Sequence, residues 1–126
     1  MATVLVVDDD PDIRLLVQLA LAAGGHVVET AGTAPAALDV LATRPFDVVV
    51  TDLNLDQDIG GEELLRRIQA AGHGVGVILI SGFVEMGDTA RFHELGAADF
   101  IAKPFDLRDL VAAVNRVAAA GGSRRG

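Results

Sequence analysis

Four segments of the chain end in side chains that could together carry out phosphoryl chemistry. One short apolar run is followed by three aspartates that begin at Asp8, a second by Asp52, and two others by Ser81 and Lys103. In an open α/β sheet, ligands bind outside the carboxyl ends of the strands. Right-handed crossovers bring those ends to one edge of a parallel sheet. The pattern therefore predicts that carboxylates, a hydroxyl and an ammonium group converge there.

The clustered carboxylates predict a site for a divalent metal ion. Carboxylates that lie close together repel and raise one another's pKa unless a cation keeps them ionised. An all-oxygen set suits Mg²⁺, which takes few protein ligands and retains waters. A carboxylate beside Mg²⁺ and a lysine can also attack phosphorus and form an aspartyl phosphate. The metal, Lys103 and the Ser81 hydroxyl would then position the transferred group and neutralise its charge.

The elements that must position these side chains alternate between short β-branched runs and longer segments of helical period. The alternation occurs five times, which is typical of a parallel sheet with helices on both faces. The sequence therefore predicts an α/β, doubly wound fold with a five-stranded parallel sheet. The predicted strands cover residues 4–7, 26–30, 47–51, 77–80 and 99–102.

The helices are predicted from caps and from the spacing of apolar residues. Asp10 and Asp106 are placed to cap the first and the last helix, and Pro11 suits a first-turn position. The first helix is expected to bury a stripe that includes Leu16, and His26, just after it, is expected to lie at the surface or on an edge. The other helices are predicted over residues 33–43, 62–71, 85–95 and 106–119.

Composition limits the class of protein. A chain of 126 residues, 51% of them hydrophobic, suits one compact domain, predicted over residues 1–120, with a flexible glycine-rich tail at 121–126. The net charge of -8 argues against a direct nucleic-acid partner, because such binding depends largely on Lys and Arg. With no cysteine, no secretory signal and no apolar run of about 20 residues, we expect a cytoplasmic location and no membrane partner.

The four segments that carry the aspartates, Ser81 and Lys103 resemble, in order and at similar spacing, the signatures of response-regulator receiver domains. This is a chemotaxis-regulator-like family of two-component signalling. The resemblance covers nearly the whole chain and implies a flavodoxin-like strand order, 2-1-3-4-5. The segments that carry it are Val6-Val7-Asp8-Asp9-Asp10, Val50-Thr51-Asp52-Leu53-Asn54, Ile80-Ser81-Gly82 and Lys103-Pro104-Phe105.

This resemblance implies that Asp52 is the phosphoacceptor of a phosphorelay. It also implies that Mg²⁺ is bound directly by Asp9, Asp52 and the backbone carbonyl of Asn54, and by Asp8 through a metal-bound water. The loop that follows, residues 55–61, lacks the proline common in the family and is one residue longer, so its course is not predicted.

Other positions acquire roles through the same resemblance. Lys103 is implied to pair with the phosphoryl oxygens and Ser81 to hydrogen-bond the phosphoryl group. Phe100 stands at the position of an aromatic switch residue. A cis peptide is implied between Lys103 and Pro104, as such bonds are almost confined to proline.

As a receiver domain, the chain would be a switch that catalyses only its own phosphorylation and dephosphorylation. A histidine kinase or a histidine phosphotransfer protein would donate the phosphoryl group. A downstream protein partner or a second copy of the chain would recognise the face formed by the fourth helix, the fifth strand and the fifth helix.

Other functions fit parts of the sequence. The spacing of Asp8 and Asp10 matches a Mg²⁺-dependent phosphohydrolase with an aspartyl nucleophile, but Pro11-Asp12 replaces the expected continuation and no cap insertion follows. A flavodoxin-like cofactor binder fits the fold, but acidic residues stand where a phosphate-binding loop should follow the first strand. A receiver domain cut from a larger regulator or a hybrid kinase stays open.

Overall fold

The computed structural model describes residues 2–53, 60–71, 74–82, 88–103 and 105–125, with the backbone alone at 88, 89, 91 and 121–125. Strands and helices alternate along the whole chain, as predicted. The strands are β1 (Thr3–Val7), β2 (Val27–Ala31), β3 (Val48–Asp52), β4 (Gly76–Ser81) and β5 (Asp99–Ala102), and the helices are α1 (Pro11–Ala23), α2 (Ala34–Thr43), α3 (Gly61–Ala71), α4 (Asp88–Glu94) and α5 (Leu107–Arg125).

The strands form one sheet in the order β2-β1-β3-β4-β5, and each neighbouring pair is parallel. This confirms the predicted fold class and strand order. The chain starts near the centre of the sheet and builds outward in both directions, so the order reverses between β1 and β3. Ligands of open α/β sheets bind at such a reversal, outside the carboxyl ends of the strands.

Two hydrophobic cores lie on opposite faces of the sheet. Alternate residues of a strand point to opposite faces, so Leu5 and Val7 of β1 join the core beneath α2, α3 and α4, whereas Val4 and Val6 join the core beneath α1 and α5. Every residue of β3 and β4 is buried. This explains why those strands are almost continuously apolar in sequence until they reach their polar last residues.

The helix caps predicted from the sequence are present. The Asp10 carboxylate accepts hydrogen bonds from the backbone N–H groups of Asp12 and Ile13, and Pro11 occupies the first position of α1. Asp106 accepts a hydrogen bond of 2.8 Å from the backbone N–H of Arg108. Each cap satisfies N–H donors that a helix leaves unpaired in its first turn. The caps therefore define where α1 and α5 begin, shortly after the carboxyl ends of β1 and β5.

Three expectations are wrong in detail. Leu16 is 51% exposed, because it lies beside a cleft between α1 and α5 instead of over the sheet. His26 is buried, because its ring pairs with polar groups inside: the Ala2 N–H donates to Nδ1, and Nε2 lies 2.8 Å from the Asn115 side-chain oxygen. The helix α5 continues to Arg125 instead of ending at residue 119, since glycine weakens a helix without preventing it.

Among the described residues, no helix combines the length and the hydropathy needed to cross a membrane.

Candidate functional site

The structure brings Asp8, Asp9 and Asp52 together at the carboxyl ends of the central strands. Because Val7 pairs with Thr51 across β1 and β3, the residues that follow them, Asp8 and Asp52, lie side by side. One carboxylate oxygen from each of the three aspartates lies within 4.8 Å of the other two. Asp8 and Asp52 are buried, whereas Asp9 is exposed. The chemistry of this all-oxygen set fits a hard divalent cation such as Mg²⁺.

Burial raises the pKa of Asp8 above its ordinary value. The Asp10 N–H, which donates to Asp8 Oδ1 at 2.9 Å, lowers that pKa, and the charge of Asp52 raises it. Smaller effects come from Lys103, which lowers the pKa, and from a hydrogen bond with Asp9, which raises it. Taken together, these effects disfavour the ionised form of Asp8 in the metal-free cluster.

Lys103 lies on the far side of β4 from Asp52, yet its side chain reaches the acidic cluster. Its Nζ donates a hydrogen bond of 2.6 Å to Asp52 Oδ2. Burial lowers the pKa of the Lys103 ammonium, but the hydrogen bond and charge of Asp52, together with Asp8 and Asp9, raise it above its usual value overall. Lys103 is therefore held in its charged form beside the carboxylate that the sequence predicts to react.

Ser81 and Phe100 share one face of the sheet. Ser81 is the fully buried last residue of β4, and its carbonyl accepts a 2.8 Å hydrogen bond from the Lys103 N–H. The register pairs Leu79 with Phe100 and Ser81 with Ala102. Since side chains repeat every two residues along a strand, Phe100 projects from the same face as Ser81. Its half-buried ring stacks on that of Phe92 in α4, with a centroid distance of 5.1 Å.

Some predicted features lie outside the described residues. These are Asn54, whose carbonyl is a predicted metal ligand, most of the loop that follows it, and Pro104 with the predicted cis peptide. Asp10 lies beside the acidic cluster, but its carboxylate caps α1. Its Oδ1 accepts both cap hydrogen bonds, so a structural role accounts for the residue that the phosphohydrolase alternative would use as its second carboxylate.

Two residues near the site were missed in the sequence. A Cβ at Gly61 would overlap the carbonyl oxygen of Asp52 and the Cα of Leu53, so only glycine allows α3 to start this close to β3. The paired glycines at the start of a predicted helix were a signal of close approach. Arg14 donates from Nη1 to the Asp8 carbonyl at 2.7 Å. A basic residue near the start of a helix is unfavourable beside the positive end of the helix dipole. The position of Arg14 in the sequence was therefore a signal that its side chain has a specific partner.

An apolar cleft begins at Lys103 and runs between α1 and α5. Leu16 of α1 stands on one wall, and Phe105 and Leu107 stand on the other. Two further leucines of α1, Leu15 and Leu19, are more than half exposed. The candidate site therefore has a hydrophobic surface directly beside it.

The family model of the response regulator receiver domain matches residues 4–115 of this chain. The chain belongs to the response-regulator receiver family. Receiver domains are signalling domains of two-component regulators, and the family generally binds Mg²⁺ at acidic residues such as those clustered here.

Curated relatives of this receiver domain are longer proteins. It is 36% identical over 115 residues to the DNA-binding transcriptional regulator NtrC of Azospirillum brasilense, in an alignment that covers 91% of this chain and 24% of that protein. It is 40% identical over 112 residues to the regulatory protein VirG of Agrobacterium tumefaciens, covering 88% of this chain and 41% of that protein. The chain thus spans less than half of either relative.

Solved structures include receiver domains of the same size. A CheY-like response regulator receiver domain protein from Methanospirillum hungatei superposes with a TM-score of 0.89 at 27% identity, and the match covers 98% of both chains. The agreement extends over the whole sheet and its helices, so the site edge described above is built on the architecture of known receiver domains.

Proposed function

We propose that this receiver domain accepts a phosphoryl group on the carboxylate of Asp52. The observation that carries the proposal is the position of Asp52: it is buried, its Oδ2 is paired with the Lys103 ammonium, and it shares a cluster with Asp8 and Asp9. In the transfer step, a bond forms between an oxygen of Asp52 and phosphorus, and the bond between phosphorus and the donor group breaks. The product is an aspartyl phosphate.

The donor set supports Mg²⁺ as the cofactor of this step. Asp9 and Asp52 would bind it directly and Asp8 would act through a water, with the Asn54 carbonyl completing the protein ligands. When bound, Mg²⁺ neutralises charge on the phosphoryl oxygens and offsets the repulsion among the carboxylates. The exposure of Asp9 on one side of two buried aspartates gives the ion a route from solvent.

Lys103 and Ser81 would stabilise the transferred group from the other side. The Lys103 ammonium already lies within hydrogen-bond distance of Asp52, so it can move from the carboxylate to a phosphoryl oxygen without leaving the site. Ser81 ends the strand between Asp52 and Lys103, where its hydroxyl can donate to the same group. Fixed donors aimed at developing negative charge are a major source of catalysis in phosphoryl transfer.

The phosphodonor would be a histidine kinase or a histidine phosphotransfer protein that docks over the apolar cleft between α1 and α5. Such a donor must bring its phosphohistidine to the edge that carries Asp52. The cleft starts at Lys103, and Leu16 beside it is half exposed, so this surface can bind a protein while the reacting groups meet. The negative net charge supports a protein partner and no direct contact with nucleic acid.

The output would be a rearrangement of the face built from α4, β5 and α5. A phosphoryl group on Asp52 needs hydrogen-bond donors and would attract the Ser81 hydroxyl. Phe100, on the same face of the sheet, would then leave its stack on Phe92 and turn toward the vacated space. A partner protein or a second copy of the chain would recognise the altered surface.

Incubation with acetyl phosphate and Mg²⁺, followed by intact-protein mass spectrometry, tests the proposal. We expect one phosphoryl group that is labile in base, absent from Asp52→Asn and present in the control Asp39→Asn, which removes an exposed carboxylate of α2. Equal phosphorylation of Asp52→Asn would refute the assignment. Turnover of phosphoesters by the wild-type chain would support the phosphohydrolase alternative instead.

A further inference from the structure

Arg14 links the first helix to the acidic end of β1. Its Nη1 donates a 2.7 Å hydrogen bond to the backbone carbonyl of Asp8. That carbonyl belongs to the peptide between Asp8 and Asp9, two of the three clustered aspartates. Because a peptide unit is planar, holding this carbonyl fixes the plane from which both aspartates project.

Gly32 lies against this guanidinium. A Cβ at Gly32 would lie 3.0 Å from Arg14 Nη1, which is closer than ordinary van der Waals contact. Gly32 does not have a positive φ, so the backbone conformation itself does not require glycine. The absent side chain instead lets the Arg14 guanidinium lie close to the backbone that follows β2, beside the Asp8 carbonyl that it binds.

The rest of Asp8 is held by backbone groups. Its N–H donates to the Ala31 carbonyl at 3.2 Å, and its carboxylate accepts from the Asp10 N–H at 2.9 Å. Arg14 therefore adds a third restraint, which acts on the Asp8 carbonyl, the group that Asp8 contributes to the peptide bond with Asp9. Without it, the peptide could rotate and let the mutually repelling carboxylates move apart.

We propose that Arg14 is a positioning residue for the metal site: it holds the Asp8–Asp9 peptide so that both carboxylates meet Mg²⁺ together with Asp52. The inference rests on the proposed function. Arg14 acts through the aspartates and touches neither the metal nor the phosphoryl group. Residues that orient metal ligands in this way typically change metal affinity by about 10- to 100-fold when they are replaced.

Mg²⁺ titration by calorimetry on the full chain tests the role with two independent variants. Arg14→Gln removes the charged donor, and Gly32→Ala displaces it while keeping its charge. We expect Arg14→Gln to weaken Mg²⁺ binding about tenfold and Gly32→Ala to weaken it by a smaller factor, because the guanidinium has to move only slightly. The double variant should lose no more than Arg14→Gln, because both substitutions act on one contact. Phosphorylation by acetyl phosphate should recover toward the wild-type rate at saturating Mg²⁺ in both.

Arg44→Gln is the matched control, since it removes an arginine that precedes β3, at the amino ends of the strands and away from the acidic cluster. Unchanged Mg²⁺ affinity in Arg14→Gln, a larger loss in Gly32→Ala than in Arg14→Gln, or an equal loss in Arg44→Gln would each overturn the inference. If the wild-type chain bound no Mg²⁺ and were not phosphorylated by acetyl phosphate, the proposed function itself would be refuted. Wild-type activity with unaffected variants would refute only the role of Arg14.

Discussion

Lys103 and Asp52 form an ion pair across the end of a strand that lies between their own: Nζ of Lys103 reaches past β4 to within 2.6 Å of Asp52 Oδ2. The contact depends on strand order, because β3 and β5 are not neighbours. It also places a cation on the side of Asp52 away from β1, whose end carries Asp8 and Asp9. A transferred phosphoryl group would therefore meet positive charge from both sides once a metal ion is bound.

Lys103→Met should slow phosphorylation of Asp52 by about 10²–10³-fold, as expected when one fixed stabilising group is lost from a transition state. Methionine keeps much of the aliphatic length and removes the ammonium. Initial rates with acetyl phosphate at saturating Mg²⁺ give the comparison. Arg108→Met, which removes an exposed cation near the same edge, should leave the rate unchanged. An undiminished rate in Lys103→Met would contradict the proposed role.

Asp8→Asn should stabilise the metal-free fold near neutral pH, because it removes a buried charge that repels Asp52. The folded pKa of Asp8 is raised above 3.8, so its stabilising contribution is complete below that pH and is lost as pH rises through the raised value. Asparagine keeps an oxygen for the Asp10 N–H and removes the charge. Urea unfolding of both proteins across this pH range should show the variant's advantage growing with pH.

Saturating Mg²⁺ should reverse that order, because the wild type gains more stability from binding the ion. Asp39→Asn serves as the control, since this exposed carboxylate lies on α2, outside the cluster. A metal-free Asp8→Asn protein that is less stable than wild type at neutral pH would show that burial of the Asp8 charge is not the dominant effect.

Gly61→Ala should destabilise the fold by about 1–3 kcal/mol, the usual cost of forcing extra atoms into a packed region. Its new methyl group would overlap the Asp52 carbonyl oxygen, and the strain would fall on the phosphoacceptor itself. We expect both the urea midpoint and the phosphorylation rate to fall. Gly82→Ala is the matched control, because a Cβ there meets nothing within 4 Å; equal behaviour of the two variants would contradict the expectation.

Leu16→Gln should slow phosphotransfer from a protein donor and leave phosphorylation by acetyl phosphate unchanged. The substitution removes half-exposed apolar surface beside the cleft while preserving helix α1. Val27→Thr is the control. Val27 is exposed to a similar extent as Leu16, 49% against 51%, but it is the first residue of β2 and lies at the amino ends of the strands, away from the cleft. The docking proposal fails if both variants slow protein-dependent transfer equally, or if Leu16→Gln also slows the small donor.

Phosphorylation should reduce amide protection around the Phe92–Phe100 stack. The reason is that a Phe100 side chain that turns toward Ser81 must leave Phe92, which loosens the packing between α4 and β5. Hydrogen exchange of the wild type, with and without acetyl phosphate, measures the change, and Asp52→Asn under the same conditions is the control. Changes confined to the loops at Asp8 and Asn54 would rule out this route to the output face.

The sequence by itself determined the fold class and the side chains that gather at the site. Alternating β-branched runs and helical stripes are local patterns, and a parallel sheet converts them into one shared edge, so Asp8, Asp52, Ser81 and Lys103 could be predicted to converge. The caps at Asp10 and Asp106 were predictable for the same reason: a cap acts within a few residues of itself.

Tertiary structure alone decided the contacts between residues distant along the chain. Whether Leu16 is buried depends on how α1 and α5 diverge, and the burial of His26 depends on Asn115 in the last helix. The contact between Arg14 and Gly32 likewise depends on how α1 packs against the segment that follows β2. Sequence periodicity reports which face of an element is apolar, but only packing determines which neighbour covers that face and which polar groups lie within hydrogen-bond distance.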